Sequence, residues 1–386
     1  MIRLHVPGFY DSDKGGPRWG DAQIIDDGTN FEVIDGYCGV GTTRLISRLK
    51  KRGIKTPYLH ISHAHYDHYY GIKQIIRDSY FKPKALYCYK PSTLNYRTSY
   101  NSGGASHVKS EIRNLEDIIK EAKSKGIKVI YVNHGDKIKH GDIEFYAYRK
   151  QPTTILGDDD YGDAYINDGS LCYWFKNISY WTSGDGCEKI YDMCKAVGAN
   201  PTFFKIPHHG NNCPRLQANG MKDLGAVYCW DNDYSVKITD FLRYGRNRCI
   251  EAGIKYLDCH GDLNAVFFGG QAVIYKDYKK YTYKCDYKGK TRLRGTYYVV
   301  VRKAMRGDYG NNDDRITNLL NIGRYPLAIQ NRINRVVKLA EDIKSGKVNY
   351  GKGAERIARI NKELGNGYGQ LVQDYIDVLY GIKESV

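Results

Sequence analysis

Residues 60 to 72 read HISHAHYDHYYGI, with four histidines and an aspartate inside nine positions. The core of the stretch is His63-x-His65-x-Asp67-His68. Imidazole nitrogens combined with carboxylate oxygens are ligands for Zn²⁺, and they also suit Mn²⁺ or Fe. A lone histidine is usually structural. Four ligand-type residues in six positions, after the strand-like YLHI and before YYGI, rarely arise as core or as a charged face. A loop after that strand presents alternate side chains to one side. His63 and His65 can then hold one metal while Asp67 and His68 turn toward a second.

A two-metal centre needs ligands from elsewhere, and strand-like stretches lead to them. YWTSGDG ends at Asp185, a carboxylate placed to bridge two metals, and FFKIPHHGNN ends at His208 and His209. Asp35, in VIDG, is placed to orient the metal loop from behind its ligands. Taken singly, Asp185 before Gly186 also suits a turn, and His208 a surface position. The combination in this order favours the metal centre.

The elements that must carry these residues are legible from hydrophobic period and turn residues. AQIIDD, FEVIDG, YLHISH, KVIYV, IEFYAY, SLCYWF, ISYWT and PTFFKIP read as strands; TTRLISRLKKRG, EDIIKEAKSKG and EKIYDMCKAVG read as helices that stop at glycine. Strands outnumber helices, and hairpins mix with α/β crossovers. The expected fold is α/β, a sandwich of sheets flanked by helices, over residues 1–275. Residues 276–296 carry eight Lys or Arg and read as a terminal hairpin followed by a basic linker.

From about residue 297 the chain changes to helices with Gly-rich turns and repeats itself. Tyr309-Gly310 matches Tyr350-Gly351, Arg315 matches Arg356, and Gln330 matches Gln373. The apolar spacing in each unit is ordinary helix core. The repeated Tyr-Gly and Arg are not accounted for by core packing alone. Residues 297–386 thus read as two helical repeats.

Composition bounds the partners. The 386 residues carry a formal net charge of +16 and a mean hydropathy of −0.58. The charge points to an anionic partner such as nucleic acid or a phosphate-bearing polymer. No apolar run reaches the length of a membrane span. The first residues lack the apolar centre of a secretory signal, so synthesis in the cytoplasm is expected. The ten cysteines lie between Cys38 and Cys285 with no CxxC pair, which favours buried thiols over a disulfide framework.

HAHYDH, SGDG and PHHG, in this order, resemble the motifs of metallo-β-lactamase-fold hydrolases over about residues 15–275. The resemblance implies an αββα sandwich with a two-metal site at its sheet edges. Carried over, His63 and His65 bind the first metal, Asp67, His68 and His209 bind the second, and Asp185 bridges. Many members have a further histidine before the bridging Asp. Here Asn167 or Asp168 stands in that place. GDA near the start, ND-x-S-L and PHHG are similar to a narrower branch, which includes competence-type DNA-uptake proteins and teichoic acid phosphorylcholine esterases. In that branch the first metal has fewer histidines, and Asp168 is the candidate ligand. The repeats resemble cell-wall-binding repeats of phage lysozymes, which implies a bacterial cell-wall or peptidoglycan partner for residues 297–386.

The implied cofactors are two Zn, Mn or Fe ions. Two metals ~3.5–4 Å apart can lower the pKa of a shared water to about 7. Asp67 or Asp185 can accept its proton, His208 is the first candidate to assist the leaving oxygen, and His260 the second. Tyr66 and Tyr69 flank the ligands and either line the cleft or pack. Two functions follow: a phosphodiesterase on a wall polymer that reaches the wall after release, or an intracellular phosphodiesterase on nucleic acid or nucleotides. A β-lactamase is disfavoured, because the charge points to phosphate.

Overall fold

Ile2–Val6, a run of Ile, Leu and Val around Arg3, forms the first strand, β1, and pairs antiparallel with both Gln23–Asp26 (β2) and Leu263–Phe268 (β14). The computed structural model describes residues 1–7, 20–91, 102–149, 166–167, 169–186, 190–205, 207–210, 227–230, 256–258, 263–276, 279–289, 297–310, 315, 319 and 326–386. They form two compact units, Met1–Lys290 and Thr291–Val386.

The first unit holds two mixed sheets. One has the order β16-β15-β14-β1-β2-β3-β4-β5-β6, with β3 Phe31–Ile34, β4 Tyr58–His60, β5 Ala85–Cys88, β6 Lys128–Tyr131, β15 Gln271–Lys276 and β16 Lys279–Lys284. The other runs β13-β12-β11-β10-β9-β8-β7, from β7 Lys137–His140 and β8 Ile143–Arg149 through β9 Leu171–Phe175, β10 Tyr180–Thr182, β11 Phe203–Lys205 and β12 Val227–Trp230 to β13 Tyr256–Asp258. β3 to β6 are parallel, as are β10 to β13. Loops at the carboxyl ends of such strands are where α/β sheets build sites.

The sheets meet through one hydrophobic core that takes Ile24, Val33 and Leu59 from the first and Phe145, Tyr173 and Phe203 from the second. β9 is buried along its whole length, although its side chains alternate between faces. Tyr173 enters that core, while Trp174 lies on the far side with Trp181 and Phe204. Against the first sheet lie α1 (Gly39–Lys51), α2 (Tyr66–Arg77) and α3 (Ser102–Ser124). In α1 the i, i+4 pair Leu45 and Leu49 is fully buried, each worth about 1.5–3 kcal/mol. The helix closes on Arg48, Lys50 and Lys51, which suit the negative end of its dipole. α4 (Ile190–Ala196) follows β10.

Polar ties cross between the sheets. Tyr180 OH donates to Gln23 Oε1 (2.6 Å), and Gln23 Nε2 donates to Thr182 Oγ1 (3.0 Å). The buried Glu32 carboxylate accepts from His60 Nε2 and from His140 Nδ1, both at 2.8 Å. His60, the first histidine of the HISHAHYDH stretch, is therefore core architecture.

β16 pairs with β15 from Gln271↔Lys284 to Lys276↔Lys279. The first unit consequently continues past residue 275 to Lys290, taking in most of the basic stretch that reads as hairpin and linker. The described cysteines Cys38, Cys88, Cys172, Cys194 and Cys285 are buried thiols. No described helix is long and apolar enough to cross a membrane.

The second unit is helical: α5 Tyr297–Met305, α6 Pro326–Lys344, α7 Gly353–Leu364 and α8 Tyr368–Leu379. Val301, Ile329, Val336, Ile360, Leu371 and Val372 form its core. Its repeated residues have an internal use. Arg315 donates to Gly310 O (3.1 Å) and Gln330 Oε1 (3.2 Å), and Arg356 donates to Gly351 O (2.9 Å) and Gln373 Oε1 (3.1 Å). Each arginine thus locks the turn before it to the glutamine of a following helix. That lock supplies the account of the repeated arginine that apolar packing leaves out.

Candidate metal centre

The sequence places His63, His65, Asp67 and His68 in one loop, whereas the structure divides them. His63 and His65 lie between β4 and α2, but Asp67 and His68 sit in the first turn of α2. His68 N–H and Tyr69 N–H both donate to His65 O, at 3.0 and 3.1 Å, so the helix begins there. Helical spacing replaces the alternation of an extended loop. Tyr69 consequently packs into the core, while Tyr66 is 49% exposed.

Asp35 follows β3 and holds this segment from behind. Its Oδ1 accepts Ser62 N–H (2.8 Å), and its Oδ2 accepts Ser62 Oγ–H (2.7 Å) and His68 Nδ1–H (2.9 Å). Ser62 Oγ in turn accepts from His63 Nδ1 (2.9 Å). Both histidines therefore carry their proton on Nδ1 and turn Nε2 inward, the arrangement that metal-ligating histidines use. Asp35 (φ 58°) and His208 (φ 50°) hold left-handed backbone conformations, the kind of local strain that clusters at functional sites.

Asp185, two residues beyond Ser183 at the end of β10, is the focus. Its Oδ2 lies 3.2 Å from His68 Nε2, 3.6 Å from His63 Nε2 and 3.9 Å from His208 Nε2. His63 Nε2 faces His65 Nδ1 at 3.0 Å. Gly184 makes this approach feasible, because a Cβ there would come within 2.6 Å of Ser62 Oγ and its φ is +53°.

Two ligand groups share Asp185: His63, His65 and Asp185; and Asp21, His68 and Asp185, with the ligand atoms of each group within 4.8 Å of one another. Asp21 stands where the sequence reading puts Asp67. Asp67 Oδ2 lies 3.7 Å from His68 Nε2 and belongs to neither group. The segment before β2 brings Asp21 in over a distance that ligand spacing does not reveal, and the only local signal was the GDA motif. Pro207–Gly210 forms a turn that carries His208 and His209, and the His209 side chain is outside the described residues. Asp168 and His260 also lie outside them. Asn167 is buried, and Ser170 N–H donates to its carbonyl at 3.0 Å.

The electrostatics fit a cation. Burial, with His68 beside it, holds the His63 imidazole well below its ordinary range, in the neutral form that ligates. Burial opposes charge on His68 too, but Asp185, Asp67 and Asp35 outweigh it and push its pKa well up. Without metal, a proton thus partly balances buried carboxylates that cannot stay uncompensated. Neutral imidazoles and carboxylates sharing one central aspartate are a donor set for Zn²⁺, Mn²⁺ or Fe.

No protein-family model and no curated protein matches the chain. Among solved structures it is similar to the metallo-beta-lactamase fold protein YhfI from Bacillus subtilis, with 11% identity over 68% of this chain and 99% of that one and a TM-score of 0.43. It is similar to Igni18, a metallo hydrolase from the hyperthermophilic archaeon Ignicoccus hospitalis, with 14% identity over 69% of this chain and 99% of that one and a TM-score of 0.43. Unliganded yeast PDE1 shows 10% identity over 68% of this chain and 99% of that one, with a TM-score of 0.42. At these identities and scores the likeness says nothing of substrate.

Proposed function

We propose that the first unit is a metal-dependent hydrolase of the metallo-β-lactamase fold that cleaves a phosphate ester at a two-metal centre. The observation that carries this reading is the convergence of two ligand groups on Asp185. His63 and His65 hold one metal, Asp21 and His68 the other, and Asp185 bridges. Bound divalent metals would supply Lewis acidity toward a phosphoryl oxygen and a water of lowered pKa. Asp35 and Ser62 keep the ligand nitrogens turned inward. Asp67, beside His68 yet in neither group, is positioned to accept a proton from the attacking water. His208, 3.9 Å from Asp185 and 23% exposed, is on hand to protonate the leaving oxygen.

The first test is hydrolysis of bis(p-nitrophenyl) phosphate, with a β-lactam as control. We expect phosphodiester turnover that a chelator abolishes and Zn²⁺ or Mn²⁺ restores, and no β-lactam turnover. Asp185→Ala should abolish the activity together with metal binding, whereas His208→Ala should keep the metal and lose about 10²-fold or more in rate. β-Lactam turnover without phosphodiester cleavage would overturn the phosphate assignment.

The narrower reading, a wall-polymer esterase addressed by residues 297–386, is supported by the motif order of the repeats. Nuclease or nucleotide phosphodiesterase action is supported by the net charge of +16. Charge-driven binding falls steeply with salt. Sedimentation of the full chain with teichoic-acid-stripped walls at high salt favours the wall address. Salt-sensitive binding and cleavage of DNA, with no sedimentation, favours the second.

A further inference from the structure

Lys205 ends β11, directly after the buried Phe203 and Phe204, and is itself 0% exposed. Its ammonium forms an ion pair with Asp21, which is also 0% exposed. Asp21 is at the same time a member of the ligand group with His68 and Asp185. A buried ammonium is costly unless it is paired, and an apolar side chain would pack at this position without that cost. The pair therefore places a fixed positive charge on the carboxylate that closes one of the two candidate metal sites and not the other. The His63, His65 and Asp185 group has no such cation among its printed ion-pair partners; its contacts are imidazoles and the shared aspartate.

We propose that Lys205 is a resident cation of the centre that makes the two metal sites unequal. It keeps the Asp21 carboxylate ionised and in place when no metal is bound, and it repels a divalent cation that arrives there. The Asp21–His68–Asp185 site is then the weaker and exchangeable one. Its occupancy follows the free metal concentration, while the His63–His65–Asp185 site stays filled. Activity that needs both metals thereby becomes responsive to divalent-cation supply. This inference rests on the two-metal reading above.

The test is calorimetric titration of the metal-stripped full chain with Mn²⁺ and with Zn²⁺, alongside thermal melts with and without metal. The wild-type protein should bind two unequal equivalents. Lys205→Met and Lys205→Gln, which remove the charge, should tighten the second equivalent by at least about tenfold and leave the first unchanged. Both variants should melt earlier than wild type without metal, because Asp21 loses its counter-charge, and metal should recover that loss. Lys205→Arg should keep the inequality, and Asp21→Asn should remove the second equivalent. A lysine with a purely structural role would lower the melting temperature equally with and without metal and leave the second equivalent unchanged or weaker. That result, with the first equivalent intact, overturns the role of Lys205 alone. If the wild-type chain binds neither equivalent, the two-metal reading falls, and this proposal falls with it.

Discussion

Asp35 touches three donors at once, and each contact decides what a ligand can do. Through Ser62 Oγ it sets the tautomer of His63, and directly it sets that of His68. Asparagine at this position would keep the size but turn an N–H toward a group that must accept. Such partners behind ligating histidines are worth about 10–100-fold in metal affinity. Asp35→Asn should therefore weaken metal binding by that factor in a chelator competition, with the circular dichroism spectrum preserved. Unchanged affinity would mean that the ligands are oriented by packing alone. The stretch HAHYDH shows which side chains can ligate, but it does not show which nitrogen each presents. That choice depends on a carboxylate 28 residues before His63 in the chain, and only the folded sheet brings it close.

At the scale of elements, close backbone approaches position the site. Gly20 (φ +119°) lies directly against the start of α2, and a Cβ there would overlap the Asp67 carbonyl oxygen. Gly20→Ala should cost on the order of 1–3 kcal/mol from backbone strain, and more from the clash. Urea unfolding should show that loss, and the second metal equivalent should weaken because Asp21 is displaced. A variant with wild-type stability would show that the strand entry is adaptable. In the second unit the lock made by Arg356 carries the corresponding prediction. Arg356→Ala leaves Gly351 O and Gln373 Oε1 without their donor and should destabilise that unit by about 1–3 kcal/mol. Far-ultraviolet dichroism during a melt would report it. The strands and helices that carry the site were largely legible from period and turn residues, as in the fully alternating burial of Ile143–Arg149. The start of α2 was not, because histidines and tyrosines mask its apolar stripe until Ile72, Ile75 and Ile76.

For the molecule as a whole, stability turns on long-range charge as well as on apolar burial. Asp26 on β2 is fully buried and pairs with Arg3 of β1 and with Arg52, just past α1. Burial raises its pKa, but the two guanidinium groups outweigh that effect and hold it below the ordinary value of 3.8. A carboxylate depressed in the folded state contributes stability that is full above pH 3.8 and is lost as pH falls through the lowered value. Asp26→Asn should remove about 3–5 kcal/mol at neutral pH, as breaking a buried pair does. It should also flatten the acid limb of stability against pH, measured by urea melts from pH 3 to pH 7 (about one unit apart). An unaltered acid limb would assign acid unfolding to other carboxylates. By itself the sequence determined the α/β class, the helical repeats after residue 297 and the three stretches HAHYDH, SGDG and PHHG, because periodicity and ligand spacing are local properties written within a few residues. Tertiary structure decided that Asp21 rather than Asp67 joins His68, that His60 serves the core, that β16 belongs to the first sheet, and that the repeated arginines bind their own turns. Each of those outcomes is a contact between elements, and side chains of the same type remain equivalent until strand pairing and helix packing select the ones that come within reach.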